Sequence, residues 1–371
     1  MAAKFWNVGV TVGVLGILAG DASGHDLLEF PLYASLPLIA SYVCIAAWAL
    51  LALHRRAERE MYVSLWFVGA GLLWFPWIFA TAQSLLLGWQ VTGVVQAVVA
   101  GWFGQNLLQI VLTGSALAVL FYFVPKIVNR PLANPGLTRA GFWLLLLIGG
   151  WGGLAQLASV PAWIPAVSGA ANFLVLVPVA SLLVSLWQTV DGKVVEAWRA
   201  NVTFRFLLVA AGLLLLSVLR TAFLGGQSTQ YTFFATARTD IVLLGVFGLS
   251  ALGALLHIVP RLTTGEDELP SVGLTDLVFW TSLLGVVGVA AGYSLAGLVQ
   301  ADVNMNVTRD FLKDGIVASA ERWMELNLSA FGYLKLVTAG YAALTVAALA
   351  FLANFGLAVR RCFVACCGGA R

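Results

Sequence analysis

The stretch GWFGQNLLQIVLTGSALAVLFYFVPK, residues 101–126, decides the fold. It outruns the roughly 20 apolar residues that cross a bilayer, and its one charge, Lys126, stands at its end. In lipid every backbone group must find its partner within the protein, so a run of this length and continuity reads as a transmembrane helix and not as a barrel strand. Gln105 and Asn106 near its start make a polar spot, yet they offer no imidazole, thiolate or carboxylate to a metal.

The same pattern continues on both sides. The chain has 371 residues, 61% of them hydrophobic and 10% charged, against about 25% charged in a soluble domain. Its mean hydropathy is +0.93. These values point to an all-α integral membrane protein, a polytopic bundle of about ten transmembrane helices in a single membrane domain spanning 1–371. The expected spans lie near 5–20, 33–53, 61–82, 100–124, 141–158, 168–188, 204–224, 239–259, 274–298 and 332–358. The first is short, but it lacks a strongly basic leader and a clear small-residue cleavage site, so it reads as a span and not as a signal peptide.

Basic residues set the expected orientation. Lys4, Arg55, Arg56 and Arg59 of HRRAER, Lys126, Arg130, Arg139, Lys193, Arg199, Arg205, Arg261, Arg360, Arg361 and Arg371 fall on one side if ten spans alternate, which puts both termini in the cytoplasm. The net charge of +3 reflects this asymmetry and gives no sign of a nucleic-acid partner. The outward connections are DASGHDLLEF (21–30), GGQSTQYTFFAT (225–236) and a periplasmic loop at 299–331, which has helix-forming character in FLKDGIVASAERWMEL. The aromatics, 14 Trp among them, sit often at span ends, as an interfacial belt does. GGWGG at 149–153 lets helices approach closely. Cys44 is inside a span, and Cys362, Cys366 and Cys367 crowd the tail; three thiols without a fourth ligand read as a reduced tail and not as a metal site.

Taken together, WFGQN…FYFVPK, GFWLLLLIGGWGGLAQLASVPAW and LGALLHIVPRL followed by LVFW resemble the catalytic subunit of cbb-type cytochrome c oxidases. These form the C family of heme-copper oxidases and are related to the nitric oxide reductase large subunit. LLEFP, HRRAEREMYVSLWFVGAGLL and FLANFGLAVRR extend the likeness over nearly the whole chain. The resemblance implies a bacterial cytoplasmic membrane and partners among membrane lipid and membrane-anchored c-type cytochrome subunits. It also implies about two spans ahead of the region where this sequence begins, one carrying a low-spin heme histidine, so the chain reads as shortened at its N-terminus.

The ligand positions depart from the family. Where the resemblance implies a copper histidine the chain has Gln105, and where it implies a histidine pair it has Ala155 and Gln156. Gly149 stands for the cross-linked tyrosine, Arg238 and Asp240 for the two heme histidines, and Arg220 for a glutamate. Heme iron needs an axial nitrogen or sulfur donor and a catalytic copper needs imidazoles, while the only histidines, His25, His54 and His257, are scattered. No catalytic residue, metal site or cofactor is therefore expected. Glu29 matches a family position near a bound calcium, but one carboxylate is a weak signal for an ion that takes six or more oxygens.

Arg220, Arg238 and Asp240 form the expected intramembrane charge cluster. A buried pair of Asp240 with Arg220 or Arg238 is one reading and a proton or ion path is the other; arginine does not exchange protons near neutral pH, which favours the pair. The function expected is that of a redox-inactive subunit, anchor or scaffold in a respiratory electron-transfer complex. The alternative is a transporter, proton channel or quinone-binding subunit using the vacated heme cavity.

Overall fold

In the computed structural model the chain is described over residues 1–56, 60–155, 160–229, 232–263, 265–314 and 316–368. Ten long helical segments follow one another: α1 (Ala2–Leu18), α2 (Leu32–His54), α3 (Val63–Gly88), α4 (Val94–Val128), α5 (Pro135–Leu154), α6 (Trp163–Val190), α7 (Val202–Leu224), α8 (Phe233–Thr263), α9 (Val272–Asp314) and α10 (Ile316–Gly368). Among the described residues nine, α2 to α10, are long and apolar enough to cross a membrane, and α1, at 17 residues, is shorter. No strand occurs among the described residues, so the all-α membrane architecture read from composition is the one found.

Local chemistry sets the helix ends. Asn134 caps α5, its side chain accepting from the Leu137 amide, with Pro135 at the first helical position where no donor is missed. Asn201 and Thr232 cap α7 and α8 in the same way. α4 ends where Asn129 turns left-handed (φ 53°) and the Arg130 amide donates back to the Pro125 carbonyl.

The helix quoted first is the centre of the bundle. Of the most apolar window of α4, 67% is buried, against 6% for α2. α4 packs against α3, the end of α5, α6, α7 and α8, and its Leu117 and Leu120 meet Phe67, Phe204, Leu207 and Ile241 in the main core. α1 lies on α2 through Gly9, Gly13 and Gly16, whose missing side chains leave room for Leu38, Phe30 and Tyr33.

Three helices change winding along their length. Gln83–Gly88 in α3, Leu107–Leu112 in α4 and Ile241–Gly248 in α8 are π-helical, and the last two touch. The last two start directly after a polar residue, Asn106 in α4 and Asp240 in α8. Such segments recur at functional sites.

The region 299–331, expected as a periplasmic loop, is helical where it is described. α9 and α10 run antiparallel along their whole length, from Ser271 against Asn354, through Gly285 and Gly292 against Gly340 and Tyr333, to Asn304 against Trp323. The helix-forming residues on either side of 315 extend the two helices where a reversal was expected, and the pairing of the two arms carries them past the apolar spans.

Candidate functional site

Five helices and one connection enclose a polar cavity of about 430 Å³. α4 contributes Gly101, Gly104 and Gln105, α5 its 3₁₀-wound end Gly149–Leu154, α6 Asn172, α7 Arg220 and Thr221, and α8 its first turns with Phe234 and Arg238. The connection Gly24–Leu27 closes the remaining side, with His25 and Asp26 on the wall.

The wall between α4 and α5 is knitted by amides. Gln105 is 3% exposed, and its Nε2 donates to the Gly149 carbonyl at 2.6 Å. Asn106 donates through Nδ2 to the carbonyls of Trp102 (2.8 Å) and Gly150 (3.2 Å) and accepts from Trp74 Nε1 at 2.9 Å. A side chain at Gly153 would strike the Gly101 carbonyl, and one at Gly150 would strike Asn106 Oδ1. The GGWGG run is thus required for close approach, and its 3₁₀ winding is held by Ser168, which donates to the Trp151 carbonyl and accepts from the Leu154 amide. Asn172 donates to the Gly152 carbonyl at 3.0 Å.

Three of the aligned positions, Gln105, Ala155 and Arg238, line this one cavity. Gln156 lies outside the described residues. At Gly149, the position aligned with the tyrosine, a Cβ would already stand 3.0 Å from Ile110 and 3.2 Å from Gln109, leaving no room for a ring. Asp240 is absent from the cavity wall: it accepts from the Tyr341 hydroxyl of α10 at 3.1 Å.

The expected pairing of Asp240 with Arg220 or Arg238 is therefore corrected. Arg238 donates through Nη2 to Gln105 Oε1 at 2.5 Å. Arg220 stacks on the Phe234 ring, 3.5 Å from guanidinium carbon to centroid, and donates to the Phe234 carbonyl. Asp240 precedes the π-helical segment of α8 and meets Tyr341 of α10, so the acid and the two cations serve different neighbours.

The donor set on this wall does not fit heme or a catalytic copper. His25 is the only imidazole among the lining residues, since His54 ends α2 and His257 packs edge-on against Phe123 in α8. No group of three or more His, Cys, Asp or Glu among the described residues could hold a metal ion. What the arrangement can do chemically is donate hydrogen bonds, from two guanidiniums, two amides and the hydroxyl of Thr239, while the Thr221 hydroxyl donates to the Ser217 carbonyl of its own helix. Sequence reasoning missed Asn172 and Thr221; the signal for the former was an isolated amide inside an otherwise apolar span.

The family model described as Cytochrome C and Quinol oxidase polypeptide I matches residues 1–331. The chain is similar to the cbb3-type cytochrome c oxidase subunit CcoN1 of Stutzerimonas stutzeri, 25% identical over 313 residues, 80% of this chain and 64% of that one. It is also similar to a cytochrome c oxidase subunit 1 homolog of Agrobacterium tumefaciens (strain T37), 26% identical over 319 residues, 80% of this chain and 58% of the other. A third relative, cytochrome c oxidase subunit 1 of Rhodobacter capsulatus, is 23% identical over 316 residues with the same coverage. The chain thus spans less than two thirds of the length of these curated relatives.

Proposed function

The chain belongs to the Cytochrome C and Quinol oxidase polypeptide I family, and from that premise we propose that it is a redox-inactive membrane subunit, an anchor or scaffold in a respiratory complex. One observation carries this reading. Where the resemblance implies a metal ligand on α4, Gln105 ties α4 to the backbone of α5 and accepts a bond from Arg238 of α8. A position that in a catalytic subunit would serve a metal here joins three helices, which is the work of a scaffold.

The relatives are named as oxidase subunits, so partners that accompany such subunits, membrane-anchored c-type cytochromes above all, are the proposed company. The bacterial relatives and the apolar helices make this a bacterial multi-pass membrane protein. The proposed orientation has both termini in the cytoplasm and the α9–α10 apex on the outer side, following the basic residues.

Purification of the native assembly and an optical spectrum of the chain alone test the proposal. The expected result is co-purification with cytochrome-bearing subunits, together with no Soret band from the separated chain. One equivalent of tightly bound heme in the separated chain, or a solitary monomer in native membranes, overturns it.

The cavity also leaves a second reading to test, a transporter, proton channel or quinone-binding subunit. Its two arginines are poor proton relays, and the acid that would complete such a relay, Asp240, is hydrogen-bonded elsewhere. Proton flux or solute uptake in liposomes that hold the purified chain would decide for this reading over the scaffold.

A further inference from the structure

Arg220 is 7% exposed, deep at the wall of the polar cavity. Its bond to the Phe234 carbonyl uses one nitrogen; Nε and Nη1 are buried and meet no acceptor among the described residues. Arg238, on the same wall, has an amide oxygen for its partner where a carboxylate would neutralise it. The one carboxylate among the lining residues, Asp26, is exposed on the closing connection and enters no ion pair among the described residues. Two guanidiniums that stay charged at any ordinary pH thus share a cavity in which neither is ion-paired among the described residues. Buried charges are paired or they are costly, and buried donors without acceptors are costly in the same way.

We propose that this cavity is a binding site for an oxyanion, a carboxylate or phosphate group, gripped between Arg220 and Arg238. A guanidinium is a strong charged donor to such a group, and the stack on Phe234 holds Arg220 in place at the cavity wall, where two of its nitrogens meet no acceptor among the described residues. The hydroxyl of Thr239 lies on the same wall and adds a neutral donor. The volume exceeds that of the bare anionic group, so the remainder of the ligand enters with it. Arg220 also borders an apolar groove of about 690 Å³ between α7 and α9, lined by Leu216, Phe223, Val287 and Leu295. The same anionic chemistry therefore comes from two sources, a small soluble acid entering beside Gly24–Leu27 or the headgroup of an anionic lipid whose chain lies in that groove. The proposal rests on the cavity and stands apart from the subunit reading.

The test uses the full chain in lipid-stripped neutral detergent. Thermal unfolding is followed against sodium phosphate and sodium acetate, with sodium chloride at equal ionic strength as the control. Native mass spectrometry with phosphatidylglycerol against phosphatidylcholine forms the lipid arm. The expected result is saturable stabilisation by phosphate or acetate beyond the chloride control, or retention of phosphatidylglycerol over phosphatidylcholine, and which arm responds names the source. Arg220→Gln should weaken that binding at least tenfold. Gly104→Leu supplies a variant that leaves both cations intact: a Cβ at this cavity-lining glycine meets nothing nearer than Leu27 at 3.9 Å, so the new side chain occupies the cavity and should abolish binding in a folded protein. No saturable binding of phosphate, acetate or phosphatidylglycerol by the unmodified chain would overturn the proposal. So would binding that survives Gly104→Leu, or a lower melting temperature of Asp26→Asn with no anion bound, which would make the loop carboxylate the counter-ion.

Discussion

Arg238 leans on Gln105, and that contact ties the first turns of α8 to α4 while the other end of the same amide holds α5. Gln105→Leu removes an acceptor from a guanidinium and a donor from a buried carbonyl, so thermal unfolding of the solubilised chain should show a loss of about 1 to 3 kcal/mol for each group left unsatisfied. Gln105→Glu should lose less, because a carboxylate keeps Arg238 supplied and only the Gly149 carbonyl goes without. Asp240 makes the contrasting case. Its partner is a hydroxyl and not an arginine, so Asp240→Asn keeps an oxygen for Tyr341 and should shift the melting temperature little, and Asp240→Leu, which leaves the half-exposed Tyr341 hydroxyl with Tyr293 as its neighbour, should cost no more than about 1 kcal/mol. A severe assembly defect in Asp240→Asn, seen as lost protein in membranes, would mean that the carboxylate charge itself is needed.

At the scale of elements, the α9–α10 pair depends on glycine. A Cβ at Gly340 would lie 2.7 Å from the Gly285 carbonyl and 2.8 Å from the Val289 amide nitrogen, both backbone atoms that cannot step aside. Gly340→Val should therefore push the helices apart at a cost of at least about 1 to 3 kcal/mol, lowering both yield and melting temperature. Gly332→Ala on the same helix meets nothing within 4 Å and should stabilise by about 0.5 to 1 kcal/mol, since alanine is the better helix former. Helices as such were legible in the sequence, because long apolar runs have no other way to satisfy their backbone in lipid. The charge partners were not: Asp240 meets Tyr341, 101 positions further on, and nothing in the run around it announces that contact. The convergence of Gln105, Ala155 and Arg238 was legible only through the resemblance, since 133 positions separate the first from the last. The stack of Arg220 on Phe234 had no sequence signal, because the two residues belong to different helices whose meeting depends on the whole bundle.

For the whole molecule, the longest feature is the α9–α10 pair. α9 has 43 residues, which at 1.5 Å per residue make roughly 65 Å, about twice the ~30 Å of bilayer hydrocarbon. Met305, Trp323, Met324 and Leu328 are exposed toward the far end of the pair, a set of apolar side chains without cover. Removing residues 307–319 and joining the arms by a short glycine linker should leave the chain inserted and folded, by its melting temperature, while the native assembly loses subunits on a size-exclusion column. Retention of every partner by that variant would move the docking surface back to the membrane helices. Because both arms are unbroken helix up to the reversal, their residue count works as a ruler: altitude above the lipid is fixed by arithmetic and not by hinge or loop. Whatever rests on the summit has its elevation written in the chain, and excising seven residues from each arm, two turns, would lower that perch by roughly 10 Å without altering a single residue in the bilayer.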